Sequence, residues 1–332
     1  SYIFMDLLTQ GLVGSAVAQS FCRPKAQYRV AFYGAIAGMA PDLDALISSS
    51  ADPLLNLDYH RHFSHSLAFI PLGAFIVALL IWLVSRRRFE FREIWMACLL
   101  GYATHGFLDA CTSYGTHLWW PFALDRVSWN LVSIIDPIFS LPLLVLTVWG
   151  AWRSRVCFPR AAAIFCACYL LFALAQHRQA ESAQQTLIAQ RDHTSVRQVV
   201  KPSIGNVFLH RSVYLHDGVY HVDAIHVVPG LTAKIYRGGK VNAFEAAKPG
   251  KDVARFNRLS NGFLCQHPEA EDVIGDIRYG MLPISPVPLW GIKTNAVNSE
   301  LPAEFVKFRS LGEEDISQFY RMLFRRNVWA AE

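Results

Sequence analysis

The apolar positions of this chain gather in long runs before about residue 177, and the runs are long enough to be weighed against the thickness of a bilayer. Residues 64–85 carry no Asp, Glu, Lys or Arg over 22 positions, which predicts a membrane-spanning helix. Residues 94–114, 128–150 and 158–177 repeat the pattern with isolated polar residues inside it. Residues 5–21 and 29–47 are weaker versions: the first carries Asp6 and Gln10, and the second ends in Pro41-Asp42-Leu43-Asp44. Together they predict about six membrane-embedded helices. Past residue 177 the period changes. Residues 178–200 are polar and read as a helix or linker. Residues 205–237 alternate polar and apolar, with Asp217-Gly218 between two runs, the signature of a β-hairpin and its continuation. Residues 281–288 are Pro-rich and extended, and residues 313–326 suit a short terminal helix. The expected fold class is mainly α: a multi-pass membrane helical bundle over residues 1–177, a polar helix or linker over 178–200, and a small strand-rich α+β domain over 201–332.

Composition agrees with a membrane protein. Hydrophobic residues make up 53% of the 332, too many for a typical soluble enzyme. The net charge of +5, with no basic tract interleaved with aromatics, excludes nucleic acid as a partner. Cys22, Cys98, Cys111, Cys157, Cys166 and Cys168 lie in the apolar half and only Cys265 in the polar half, so no disulfide framework is expected. Met5-Asp6 reads as a natural start, and no cleavable signal peptide with a basic n-region is visible. Of twelve Lys and Arg in residues 1–177, ten fall in three short stretches: Arg23, Lys25 and Arg29; Arg86, Arg87, Arg88 and Arg92; Arg153, Arg155 and Arg160. The alternate loops hold only Arg61 and Arg126. The positive-inside bias assigns the three basic stretches to the cytoplasm and places Asp42, Asp44, His60, His65, His117 and Asp125 on the opposite side. Chain connectivity then puts the C-terminal domain on that side too.

Four segments carry candidate chemistry. They are Asp42 with Asp44; His60-Arg61-His62-Phe63-Ser64-His65-Ser66; His105 with Asp109, followed by Thr112 and Tyr114; and Asp136 before Pro137. His105 and Asp109 are four apart on a helix, so one face can present both to one ion. Neutral imidazole with carboxylate suits zinc, iron or manganese. At 1.5 Å per residue Asp109 lies roughly 7–8 Å inside its span, His105 roughly 13 Å and Asp136 roughly 10–12 Å. An unpaired acid there costs on the order of 2.5–3.5 kcal/mol, so these groups need partners or a cation. Each member also has an ordinary reading. Asp42, Asp44 and Ser64 suit helix caps, Asp136 suits backbone donors freed by Pro137, His62 suits a solvated neighbour, and His117 sits by an interfacial belt, Trp119-Trp120-Pro121-Phe122. His210, His216, His221 and His226 alternate along strands and read as surface positions.

The stretches MDLLTQGLVGSAVAQ, GAIAGMAPDLDAL, YHRHFSHSLAF, HGFLDACTSYGT followed three residues later by WPF, and IIDPIFSLPLL occur in that order over residues 5–147. This part of the chain resembles the bacterial membrane-bound metal-dependent hydrolases of the YdjM type. The segment from Pro202-Ser203-Ile204-Gly205-Asn206 through Arg211-Ser212-Val213-Tyr214 is similar to the less regular C-terminal part of longer members. The resemblance implies a metal-dependent hydrolase whose metal shell is Asp42, Asp44, His60, His65, His105, Asp109 and Asp136, with Arg61 and Ser66 beside it. Many members have His where this chain has Gln10, which leaves the ion count open between one and three. The His-x3-Asp helix is also similar to that of zinc phospholipase C enzymes, which points to phosphoester chemistry.

The combined expectation is a hydrolase of the bacterial cytoplasmic (inner) membrane, with its site and C-terminal domain extracytoplasmic. It would use divalent metal, zinc ahead of manganese or iron, on a membrane lipid or lipid-linked phosphoester or ester. Asp44, Arg61 and Ser66 are the expected catalytic residues, and Arg61, Thr112, Tyr114 and Arg126 the expected substrate contacts. Two rivals stay open. One is a non-catalytic membrane binding module with a structural metal. The other is an ion transporter, which would need repeated halves and ligands in both leaflets.

Overall fold

The computed structural model describes residues 3–21, 27–49, 51–245, 250–294, 302–308 and 312–326. Cys22, Arg23 and Lys25 lie outside the described residues. The chain divides into two compact units. One comprises the described residues of Ser1–Ile47, Asp58–Ala173 and Ile204–Asn206, and the other those of Ser48–Leu57, Leu174–Ser203 and Val207–Glu332.

The first unit is helical: α1 Ile3–Phe21, α2 Gln27–Met39, α4 Ile70–Val84, α5 Phe91–Cys111 and α6 Pro137–Arg153, with the short α3 Leu55–Tyr59 before Asp58–Tyr59 enter it and the N-terminal part of α7 Cys157–Gln190 closing it. Its polarity is inverted relative to a soluble bundle. Gln10, Ser15, Gln19, Gln27 and Thr147 are buried, while Leu72, Phe75, Leu80, Leu141, Val145, Val148, Ile164 and Leu171 face outward. Outward apolar faces of this size need a lipid or protein partner. Among the described residues two helices are long and apolar enough to cross a membrane, Leu67–Val84 and Cys157–Gln190, while Pro137–Arg153 is apolar but shorter. Two expected spans start later than their apolar runs do. Pro71 and Pro137 stand at the first helical positions, so residues 64–69 fold as 3₁₀ turns and 128–136 stay irregular.

Helices α1, α2 and α5 cross closely because glycines meet there. A Cβ on Gly101 would stand 2.3 Å from the Gly34 carbonyl oxygen, and one on Gly34 2.7 Å from that of Gly14. Small residues at a crossing let backbones approach in the way membrane helices use for van der Waals packing. This crossing fixes where His105, one turn beyond Gly101, meets α2.

The second unit holds two four-stranded antiparallel sheets. The first has the order β1 Arg197–Pro202, β2 Leu209–His216, β3 Val219–His226 and β4 Lys234–Asn242. The second has the order β5 Leu264–Gln266, β6 Val273–Asp276, β7 Trp290–Lys293 and β8 Glu304–Lys307. Helices α8 Lys251–Leu259 and α9 Glu313–Leu323 complete it. The β2–β3 hairpin turns at Asp217-Gly218, both with positive φ, as the sequence signature requires. Three details differ from the sequence expectation. Residues 178–190 continue α7, but Arg197–Val200 are strand, paired with Leu215–Ser212 of β2. His210, His221 and His226 are buried rather than at the surface, because β2 and β3 are inner strands of the sheet and buried along almost their whole length. Burial pushes His210 down to about 3 and His221 to about 4, so both stay neutral at ordinary pH. Third, Ser48–Leu57 belong here: Leu54 packs with Phe256, Leu264 and Ile292, and Asp52 pairs with Arg255 at 2.8 Å. All six described cysteines are free.

Candidate metal centre

Pro41 lacks the N–H that would continue the α2 ladder, and the chain tightens into a 3₁₀ segment, Ala40–Leu46. That segment carries Asp42 and Asp44 toward the loop after α3. Arg61 sits there with φ +64°, a strained conformation for a residue with a side chain. The strain is compensated on both sides of the residue. Its N–H donates to Asp44 Oδ2 at 2.9 Å, and its guanidinium turns inward to Asp109 and Thr112. The next turn, Phe63–His65, delivers Ser64 and His65. Gly106 permits this approach: a Cβ there would lie 2.1 Å from the His65 carbonyl oxygen.

The centre itself is four groups: Asp42, His65, His105 and Asp109. His105 Nδ1 stands 2.5 Å from the Gly38 carbonyl oxygen, which can only accept, so Nδ1 carries the proton. His65 Nδ1 faces Asp44 Oδ2 at 3.1 Å, again an acceptor, while Ser64 Oγ donates to the same oxygen at 2.7 Å. In both neutral rings Nε2 is therefore the lone-pair atom. The two Nε2 atoms are 2.9 Å apart. His65 Nε2 is 3.3 Å from Asp42 Oδ1 and 3.1 Å from Asp109 Oδ2. His105 Nε2 is 3.5 Å and 3.4 Å from the same two oxygens. A tetrahedron with bonds of ~2.0 Å has edges of about 3.3 Å. Four donors at that spacing hold together around a cation, either protons shared between ring nitrogen and carboxylate or one metal ion. Asp109 Oδ2, fully buried, has no hydrogen bond closing on it. The donor set therefore fits a divalent ion of the zinc type.

The surrounding residues hold these donors in place. Gln10 Nε2 donates to Asp109 Oδ1 at 2.8 Å, so Gln10 orients the carboxylate. Tyr102 Oη donates to the Ser64 carbonyl at 2.8 Å. Asp44 Oδ1 bonds His60 Nδ1 at 2.9 Å, and Asp42, Asp44 and His60 form a second, more open group. Arg61 is 2% exposed, Nε 3.3 Å from Asp109 Oδ2 and Nη1 2.8 Å from Thr112 Oγ1. Tyr114 lies under both Arg61 and Arg126, at 5.2 and 5.4 Å. Arg126 donates to the carbonyls of Asp58 and His60, which shapes this loop.

The structure places two expected site residues, Asp136 and Ser66, away from the cluster, and His117 lies apart from it as well. Asp136 caps α6, accepting from the N–H groups of Ile138 and Phe139, and takes the Tyr169 hydroxyl at 2.6 Å. Ser66 donates to the Phe63 carbonyl and caps the turn Leu67–Phe69, leaving Ser64 as the serine in the cluster. His117 pairs with His62 at 4.6 Å beside Trp120; burial and Arg126 hold His117 down at about 4 and lower His62, so neither competes as a charged group. Ser64 was visible in the sequence as one of a run of polar residues, but nothing there separated its role from that of Ser66. Asp136→Asn is expected to leave ion content unchanged, since its carbonyl still caps α6, and to cost about 1–2 kcal/mol through the weakened Tyr169 bond. Elemental analysis of the purified variant checks this; loss of an ion would return Asp136 to the metal shell.

Residues 5–180 match the model of the family described as YdjM inner membrane protein. The chain is 28% identical over 116 residues to the uncharacterized protein YfhP of Bacillus subtilis, a match covering 35% of each protein. It is 33% identical over 112 residues to the inner membrane protein YbcI of Escherichia coli, covering 32% of this chain and 62% of that one. The chain thus spans about a third of the first relative and less than two thirds of the second. No solved structure matches.

Proposed function

Because this chain belongs to the YdjM inner membrane protein family, we propose that it is a membrane-embedded metal-dependent hydrolase acting at the outer leaflet on a lipid or lipid-linked phosphoester or ester. In this reading about six helices are embedded, and the metal centre and strand-rich unit are extracytoplasmic, as the alternation of basic loops suggests. One observation carries the proposal: the bare Nε2 atoms of His65 and His105 converge with Asp42 Oδ1 and Asp109 Oδ2 at 2.9–3.5 Å, with each Nδ1 anchored.

A divalent ion bound there supplies Lewis acidity to the scissile group and to an attacking water. The remaining work falls to the side chains. Asp44 is held by Arg61 N–H and Ser64 Oγ, which fixes its carboxylate between the inner cluster and the partly exposed His60. From there it orients the water and takes its proton. His60, bonded to Asp44 Oδ1, is placed to pass that proton to solvent or to the leaving group. Arg61 supplies positive charge beside Asp109 and the reacting oxygens, and Tyr114 holds its guanidinium plane. Outward apolar side chains on α4, α6 and α7 suit a substrate that arrives sideways from lipid.

The test is a turnover assay on the purified, zinc-loaded full chain. Phospholipids, lipid-linked phosphoesters and generic phosphoesters are offered and head-group, phosphate or fatty-acid release is followed. Turnover that disappears with chelator, returns with zinc, and is absent from His65→Ala is expected. A protein that retains its metal but turns over none of these substrates overturns the hydrolase and leaves a structural metal clip.

A further inference from the structure

The two groups of donors share Asp42 but differ in what they do when no ion is bound. The inner group, Asp42, His65, His105 and Asp109, already stands at coordination spacing: both Nδ1 atoms are engaged elsewhere and the two Nε2 atoms face each other at 2.9 Å beside the two carboxylates. Its His65, His105 and Asp109 are all buried. The outer group, Asp42, Asp44 and His60, is satisfied without an ion, because His60 Nδ1 bonds Asp44 Oδ1 at 2.9 Å and Asp44 Oδ2 receives Arg61 N–H and Ser64 Oγ. Its His60 side chain is 23% exposed. An ion entering the outer group must displace the His60–Asp44 hydrogen bond; one entering the inner group meets four donors already converged and displaces only protons.

Charge separates them further. Among the described residues the cluster sets the three carboxylates of Asp42, Asp44 and Asp109 against one buried guanidinium, that of Arg61, which pairs with Asp109. At the rim, Arg126 and Asp58 are of opposite sign and add no net charge. Three carboxylates against one guanidinium leave an excess of two negative charges, the charge of one divalent ion. A second divalent ion would leave two uncompensated positive charges in a largely desolvated centre, where unpaired charge is costly. A phosphate or phosphomonoester dianion bound with the second ion restores the balance, and a phosphodiester monoanion removes half of the excess.

We infer that the inner ion is resident, and that the outer position, Asp42–Asp44–His60, takes its ion only together with a phosphate-class anion. This rests on the metal reading above and deepens it: anion and second ion assemble as one ligand, and Asp44 and His60 pass from proton carriers to ion ligands when the two arrive. The anion comes either from a lipid head group or from free phosphate.

The test is ion stoichiometry, which needs no turnover. The delipidated full chain in uncharged detergent is equilibrated with zinc at chelator-buffered free concentrations and its zinc content is measured. Four conditions are compared: no anion, inorganic phosphate, nanodiscs containing phosphatidylglycerol, and nanodiscs of neutral glycolipid without phosphate. One ion per chain is expected without anion, and a second with phosphate or with phosphatidylglycerol, its apparent affinity raised at least tenfold. Promotion by phosphatidylglycerol alone assigns the anion to a lipid head group; promotion by inorganic phosphate alone assigns it to free phosphate. His60→Ala is expected to keep the first ion and lose the second in every condition. Two ions of similar affinity without anion overturn the inference, as does a single ion in all four conditions, and the latter leaves the resident centre standing. Absence of any bound ion overturns both this inference and the metal reading beneath it.

Discussion

Asp109→Ala is expected to abolish ion binding at the inner position and to destabilise the protein at once. Asp109 is one of the four convergent donors that could hold an ion, and it is also the carboxylate that faces the Arg61 guanidinium at 3.3 Å. Loss of partners that merely orient a ligand weakens metal sites 10–100-fold, so loss of the ligand itself is expected to cost about 100-fold or more. Arg61, 2% exposed, would be left as a buried charge without its carboxylate, a defect of about 3–5 kcal/mol. Asp109→Asn separates lost packing from lost charge: it keeps the volume and a hydrogen-bonding partner for Gln10, so ion content falls as far and the destabilisation that remains is that of the unpaired Arg61 guanidinium. Zinc at ~100 times its Kd should raise the unfolding midpoint of the unsubstituted protein through ~2.7 kcal/mol of linkage, and should leave both variants where they were. Full ion content in purified Asp109→Ala means that the shell is wrongly drawn.

Gly101→Leu carries the second large effect, and it acts without touching a ligand. A Cβ at this position meets Gly34 backbone at 2.3 and 2.9 Å, and backbone atoms cannot rotate aside as a long side chain would. Alanine alone is expected to cost about 1–3 kcal/mol, and leucine more, because α2 and α5 must separate. His105 lies one turn along α5 and Gly38 one turn along α2, joined at 2.5 Å. A separation of even about 1 Å exceeds the range of that hydrogen bond. His105 then loses the acceptor that fixes its tautomer, and ion affinity falls with stability. The unfolding midpoint and zinc content of the variant are the readouts. An unchanged midpoint together with full zinc content contradicts the proposed coupling between crossing and centre.

The distribution of apolar residues along this chain was enough to separate a helical, apolar half from a strand-rich half, and the Asp217-Gly218 turn placed the hairpin to the residue. Periodicity and turn chemistry are local properties, and local properties survive in a linear sequence. The presence of Asp42, Asp44, His60, His65, His105 and Asp109 as a candidate set was legible for the same kind of reason: polar groups in apolar runs are costly enough to demand a purpose. Their partition was not legible. Ser64 and Ser66 are two residues apart, yet one bonds the cluster and the other caps a turn, because the 3₁₀ segment Phe63–His65 rotates them to different sides. Asp136 carries the same charge as Asp109, yet it caps a helix and takes Tyr169, because the chain around Pro137 starts α6 there. His210, His221 and His226 alternate as surface residues do, yet they are covered. Each of these outcomes depends on what another part of the chain brings to within 4 Å. By itself the sequence determined which residues had to find partners; only the tertiary structure decided which partners they found, since a hydrogen bond or a coordination corner is a distance, and distances between remote residues are set by the packing of helices and strands.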